Sequence, residues 1–115
     1  MRPGQSDLNE FELAILAVLS ESKPSLRELI PKLRVLSREF TGAGSYTKFL
    51  CNGSSPDLGS NRLGLSILIN MPGVPSGLGA LLFCEGGKPD MLEVYTHGSE
   101  LWDGIYAGFD LARSK

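Results

Sequence analysis

The residues that could take part in chemistry are one histidine, two cysteines and a few carboxylates. His97 is the only imidazole, and Cys51 and Cys84 are the only thiols. A thiol or a serine hydroxyl beside His97 would make a nucleophile and base pair, and Glu93 with Glu100 could act as a general acid and base. However, no serine lies in a Gly-x-Ser-x-Gly turn, and the cysteines lack a Cys-x-x-Cys spacing. We therefore predict no catalytic residues, no metal site and no cofactor.

Two glycine pairs could form either a phosphate-binding loop or tight turns. They are Gly42-Ala43-Gly44-Ser45 and Gly77-Leu78-Gly79. Neither pair has the G-x-G-x-x-G spacing, and no clear helix start follows either of them. We therefore predict turns or bulges in which glycine adopts a positive φ.

Length and composition indicate one globular domain. The chain has 115 residues, of which 42% are hydrophobic and 21% are charged, and this composition is too apolar for a disordered protein. No apolar run approaches the roughly 18 residues of a membrane span, and the amino-terminal residues lack the apolar core of a secretion signal. We therefore predict a single domain over residues 1–115, cytoplasmic and without membrane contact. The net charge of -2 gives no electrostatic basis for direct nucleic-acid binding.

The first third of the chain has the pattern of helices. Apolar residues recur at helical spacing over residues 8–19, with Ser6 or Asp7 as the predicted N-cap and Glu10 placed for a capping box. Pro24 predicts the end of this helix, because the residue before a proline avoids the helical conformation. Residues 25–30 predict a second, short helix.

Residues 31–40 fit two structures equally well. Their apolar residues continue a helical stripe from the preceding segment, whereas Val35 and the following Thr-Gly-Ala-Gly favour an extended strand. Both interpretations remain open from the sequence.

The rest of the chain has the pattern of strands and turns. Residues 71–77 contain two prolines and two glycines and predict irregular structure, and residues 86–90 predict a five-residue hairpin loop. Residues 102–111 predict a turn and a short strand that pack on the sheet through Trp102, Ile105, Tyr106 and Phe109. The predicted strands are residues 45–51, 64–70, 78–85 and 91–97.

This order of elements predicts an α+β fold. An N-terminal helix or two helices, within residues 7–31, would pack on a mainly antiparallel sheet of four or five strands within residues 33–111. Charge is divided unevenly along the chain. Residues 27–38 contain four bases and one acid, whereas residues 85–110 contain six acids and one base.

Three segments together resemble a family of small bacterial proteins. Residues 38–47 read REFTGAGSYT, residues 79–83 read GALLF and residues 92–102 read LEVYTHGSELW. The family carries R-E-F/Y-T-G-x-G-x-Y/F-T and L-E-x-Y-T-x-G-x-E-x-W segments, and the match covers about residues 35–103. Residues 71–77 depart from its compact pattern. The matched positions are Arg38, Thr41, Tyr46, Glu93, Tyr95 and Trp102.

Some members of this family are immunity proteins of contact-dependent growth inhibition or related polymorphic toxin systems. The resemblance implies that this chain binds and blocks a cognate toxin domain without catalysis, as a monomer or weak dimer. Many such toxins are basic nucleases, and an acidic partner would be attracted to them by charge. The predicted partner-binding residues are Glu85, Asp90, Glu93, Tyr95, His97, Glu100, Trp102 and Asp103.

An alternative function belongs to another class of protein. His97, Glu93 and Tyr95 could line a pocket of a small enzyme or ligand-binding domain. Loss of an activity in the variant His97→Ala would favour this alternative.

Overall fold

A computed structural model describes residues 7–52, 58–59, 61–65 and 67–112. Two short helices, α1 (Glu10–Ser22) and α2 (Ser25–Leu29), are followed by a 3-10 turn at Ile30–Lys32 and then by strands. In the described residues, no helix has the length and apolar character needed to cross a bilayer. The strands are β1 (Leu33–Phe40), β2 (Gly44–Cys51), β3 (Asn61–Gly64), β4 (Leu68–Met71), β5 (Val74–Glu85), β6 (Lys88–Thr96) and β7 (Asp110–Ala112).

All of these strands belong to one sheet in which neighbouring strands are antiparallel. The order is β1-β2-β6-β5-β4-β7, and β3 pairs with β5 beside this path. The predicted α+β class is confirmed, whereas the predicted count of four or five strands is too low, because the described residues form seven. The predicted short strand near the carboxyl end is present as β7.

The apolar run at residues 64–70 is not the single strand that was predicted. Gly64 ends β3, and Leu68 begins β4. Both strands pair with β5, but β4 is opposite its first half and β3 is opposite its second half. Five positions separate Gly64 from Ile69, whereas only three separate their partners Leu81 and Leu78, so a register shift divides the run into two strands.

Helix α1 begins later than the sequence predicted. Its N-cap is Asn9, whose side-chain oxygen accepts a hydrogen bond from the Glu12 amide at 2.8 Å. The Glu12 carboxylate accepts in return from the Asn9 amide at 2.9 Å and completes the capping box. Asp7 is therefore not the cap, and Ser6 lies outside the described residues.

Residues 33–40 adopt the extended conformation, so the strand interpretation of this segment is confirmed. Pro31 lies in the 3-10 turn before β1, and a proline has no N–H with which to continue a helix. Leu33 and Val35 are buried on the side of the sheet that faces the helices. Burial of Leu33 and Val35 against the core therefore stabilises the strand and not the helix.

The prediction of irregular structure at residues 71–77 is wrong. Strand β4 reaches Met71, a tight turn follows, and β5 begins at Val74. The register between β4 and β5 shifts at this point. Such an irregularity accommodates Pro75, which cannot donate a ladder hydrogen bond, and Gly77, which has a φ of 78°.

The hairpin between β5 and β6 is tighter than the predicted five-residue loop. Only Gly86 and Gly87 lie between the two strands. Their φ angles are 61° and 84°, and two consecutive positive φ angles are what a two-residue type I′ turn requires. Pro89 therefore lies within β6, next to a second register shift.

The helices cover one face of the sheet, and the other is here called the open face. Residues of β5 and β6 alternate between the two faces. The covered face and the helices supply the core residues Phe11, Ile15, Leu16, Leu19, Leu78, Ala80, Leu82, Leu92 and Val94. The open face carries the half-buried side chains of Tyr46, Leu81, Phe83, Met91, Glu93 and Tyr95.

Candidate protein-binding surface

Strand β6 and the residue just beyond it hold three of the predicted partner-binding residues in a row. Glu93, Tyr95 and His97 occupy alternate positions, whereas Leu92 and Val94 are buried in the core. Because alternate residues of a strand point to opposite faces, Glu93, Tyr95 and His97 belong to the open face. The structure therefore brings together the residues around which the alternative ligand pocket was predicted.

Tyr95 has a glycine opposite it on each neighbouring strand. These are Gly44 of β2 and Gly79 of β5. A Cβ atom on Gly79 would lie 2.6 Å from the Tyr95 ring, so the ring covers the β5 backbone at this point. The His97 ring packs against it with a centroid distance of 5.4 Å and an interplanar angle of 80°. Contacts with the backbone and with His97 thus restrain the half-buried Tyr95 ring.

Glu93 belongs to a row of open-face residues that crosses three strands. Tyr46 of β2 is opposite Glu93 on one side and opposite Glu39 of β1 on the other. The Tyr46 hydroxyl donates to Glu93 Oε2 at 3.4 Å. Within the described part of the chain, neither glutamate has a cation within 4.0 Å. This row therefore keeps the negative charge of two carboxylates.

Residues 97–109, here called the end segment, are attached to the core by Trp102. The Trp102 amide donates to the Gly42 carbonyl at 3.0 Å, and its indole Nε1 donates to the Ile105 carbonyl at 3.2 Å. Its ring packs near Phe11 and Phe40, with centroid distances of 5.9 and 5.7 Å. Trp102 is 4% exposed, so it anchors the end segment to the core and is not available for contact with a partner.

The end segment carries the most exposed large apolar side chains of the described residues. Leu101 is 74% exposed and Ile105 is 59% exposed. Phe40, which is also exposed, lies against Gly104, where a Cβ would be 2.7 Å from its ring. We call Leu101, Ile105 and Phe40 the apolar tip. Exposed apolar side chains grouped at one segment are candidates for contact with a partner.

Sequence reasoning missed this tip because it counted Ile105 among the residues that pack on the sheet. Leu101, Asp103 and Ile105 are all exposed, on either side of the buried Trp102. The Ile105 amide donates to Asp103 Oδ1 at 3.0 Å and tightens the turn between them. The Asp-Gly sequence after a tryptophan was the signal that could have revealed the tip.

A second bond attaches the start of the end segment to β5. Glu100 accepts this hydrogen bond from the Ser76 hydroxyl at 2.8 Å.

Glu85 and Asp90 lie at the opposite end of β6 from the apolar tip. Glu85 ends β5 beside the two-glycine turn, and Asp90 Oδ2 lies 4.0 Å from Lys48 Nζ. Asp90 and His97 are seven residues apart in sequence, so about 23 Å of extended chain separates them. The eight predicted partner-binding residues therefore do not form one continuous surface.

The structure does not bring His97 together with either cysteine. Cys84 is opposite Pro89 and Cys51 is opposite Leu33, both at the end of the sheet away from His97. Cys84 is buried in the core, and this burial raises the pKa of its thiol, which disfavours the thiolate. In the described residues, no three His, Cys, Asp or Glu side chains are grouped to hold a metal ion.

The positions that carry the family resemblance have different environments. Arg38 pairs with the buried Glu12, and Trp102 lies in the core, so both support the fold. Tyr46, Glu93 and Tyr95 lie together on the open face. No protein-family model, curated protein or solved structure matches the chain. Membership of the immunity protein family therefore stays a prediction.

Proposed function

We propose that the chain is an immunity protein that binds a toxin domain and blocks it without catalysis. The observation that carries the proposal is the apolar tip, in which Leu101 and Ile105 protrude from a segment that Trp102 fixes to the core. Exposed apolar side chains on a rigid support favour binding, because they lose water on binding while little chain entropy is lost.

The charge around the tip suits a basic partner. Glu100 and Asp103 belong to the end segment, which contains no lysine or arginine. Glu93 lies three residues before the end of β6, the strand that leads into this segment. A negative surface of this kind accelerates association with a positively charged partner and favours it over acidic proteins. A basic nuclease domain has the required charge.

The proposed mode of action is steric. A partner docked on the tip would have its own active site occluded there. We place this encounter in the cytoplasm, where a nuclease toxin would act. The chain would meet the toxin as a monomer or weak dimer.

The test is to identify the partner and measure its neutralisation. A tagged chain is expressed in its native host, proteins that co-purify in stoichiometric amount are identified, and the gene of each is expressed alone or with the chain in a tester strain. We expect a partner that stops growth alone and is tolerated when the chain is present. A stoichiometric partner that is harmless alone, or a toxin that kills equally well in the presence of the chain, would overturn the proposal.

A further inference from the structure

We propose that Glu93 and Tyr95 form a binding site for a single arginine side chain of a protein partner. The inference rests on the proposed function only for the identity of that partner. The geometry and charge of the open face define the site itself.

The Glu93 carboxylate has unused capacity to accept hydrogen bonds. Its one hydrogen-bond partner among the described residues is the Tyr46 hydroxyl, at the long distance of 3.4 Å. A carboxylate offers about four lone-pair positions, and a guanidinium can fill two of them with parallel N–H donors. Glu39, on the far side of Tyr46, adds a second negative charge to the same row.

Tyr95 supplies an aromatic surface two residues away from Glu93 on the same strand. Residues two apart on a strand are about 6.6–6.8 Å apart along the chain and share a face. A guanidinium can therefore stack on the Tyr95 ring while its N–H groups reach Glu93. The contacts with Gly79 and His97 restrain the ring, so little freedom is lost when an arginine binds.

Among the described residues, no lysine or arginine forms an ion pair with Glu93. Lys48, which follows Tyr46 by two residues on β2, is opposite Met91 and lies 4.0 Å from Asp90. The carboxylate row and the Tyr95 ring thus complement a cation that comes from outside. An arginine fits better than a lysine, because only the guanidinium is planar and forked.

The test is a titration of the isotopically labelled full chain, followed by NMR, with N-acetyl-arginine amide as the probe. The lysine and citrulline analogues are titrated in parallel, because citrulline keeps the shape of arginine and removes the charge. We expect shifts centred on Glu93, Tyr95 and Tyr46 with the arginine probe, and binding at least about fivefold weaker with either analogue.

Two variants and a control locate the site. Glu93→Gln keeps the shape of the side chain and is expected to weaken binding of the arginine probe at least about fivefold, and Tyr95→Leu is expected to weaken it as well. Glu28→Gln removes an exposed carboxylate on α2 and is expected to leave binding unchanged. Shifts that are scattered over the surface, or a Glu93→Gln titration equal to that of the wild type, would overturn the inference.

The inference and the proposed function can fail separately. If the arginine probe binds as described but no toxin is found, the arginine site stands and the immunity role fails. If a toxin is neutralised with unchanged affinity by Glu93→Gln, the immunity role stands and the arginine site is overturned.

Discussion

Arg38 and Glu12 form a two-point ion pair that connects edge strand β1 to helix α1. Arg38 Nε and Nη2 each lie 2.7 Å from a different oxygen of Glu12. Glu12 is only 1% exposed and also accepts from the Thr47 hydroxyl at 3.3 Å. The hydrogen bond to Glu12 raises the pKa of Arg38, so its charge is retained. The pair fixes the helix over the first two strands of the sheet.

Loss of Arg38 alone should destabilise the protein strongly. Arg38→Met leaves the Glu12 carboxylate buried without its cation, and removing one partner of a buried pair typically costs about 3–5 kcal/mol. We expect the free energy of unfolding, measured by urea denaturation, to fall by that amount. The double variant Glu12→Gln, Arg38→Met should recover part of the loss, because no unpaired charge remains.

Arg34→Met is the matched control for this prediction. Arg34 lies on the same strand, but its ion pair with Asp7 has a separation of 3.7 Å and both side chains are well exposed. Exposed pairs contribute about 0–1 kcal/mol, so little stability should be lost. Equal losses for the two arginine variants would contradict the role assigned to the buried pair.

A methyl group at Gly44 should disrupt the contact between β2 and β6. A Cβ there would overlap the Val94 carbonyl oxygen, and the backbone would have to move. Overpacking of this kind costs about 1–3 kcal/mol, so Gly44→Ala should lower the thermal midpoint clearly. At Gly64, by contrast, a Cβ would be 3.5 Å from Leu81 Cδ2, an ordinary contact. If Gly64→Ala lowered the midpoint as much as Gly44→Ala, close strand approach would not be the cause.

Stability should decline at alkaline pH, partly through Tyr106. Burial, and next the charge of Glu12, raise the pKa of the Tyr106 phenol in the folded protein. The unfolded chain releases this proton near pH 10 while the folded protein keeps it. The contribution of the protonated phenol to the free energy of unfolding is therefore fully present below about pH 9. It falls as the pH rises through about 10 and beyond.

Urea denaturation between pH 8 and pH 11, a range chosen around the pKa of about 10 for an unfolded tyrosine, measures this decline. The slope should be shallower in Tyr106→Phe than in the wild type. Burial raises the pKa of the Cys84 thiol too, so adding Cys84→Ala should reduce the slope further. An unchanged slope in both variants would show that these groups do not set the alkaline limit.

Much of the fold follows from local patterns in the sequence. The helical spacing of Phe11, Ile15 and Leu19 predicts α1, and β2 and β6 follow from strand-forming runs of sufficient length. The ends of β5 and β6 that contain Pro75 and Pro89 could not be predicted, because these prolines are tolerated only through register shifts against particular neighbours. A register shift is a property of a pair of strands and is not visible in either strand alone.

Only part of the candidate site could be predicted from the sequence. The alternation of Glu93, Tyr95 and His97 places them on one face once β6 is recognised as a strand. The burial of Trp102 and the exposure of Ile105 depend on contacts with residues more than 60 positions away, such as Phe40. The separation of Asp90 from the apolar tip likewise follows from the direction of β6 and not from charge.

The most direct test of the proposed binding surface is the affinity of the purified chain for its toxin partner by isothermal titration calorimetry. The tip variant Leu101→Asp, Ile105→Asp is compared with the control Leu13→Asp, Leu36→Asp, which places the same charges at exposed leucines outside the tip. We predict that the tip variant binds at least about 100-fold more weakly, because two carboxylates would have to lose water at the interface, and that the control binds like the wild type. Equal affinity of the tip variant and the wild type would contradict the account.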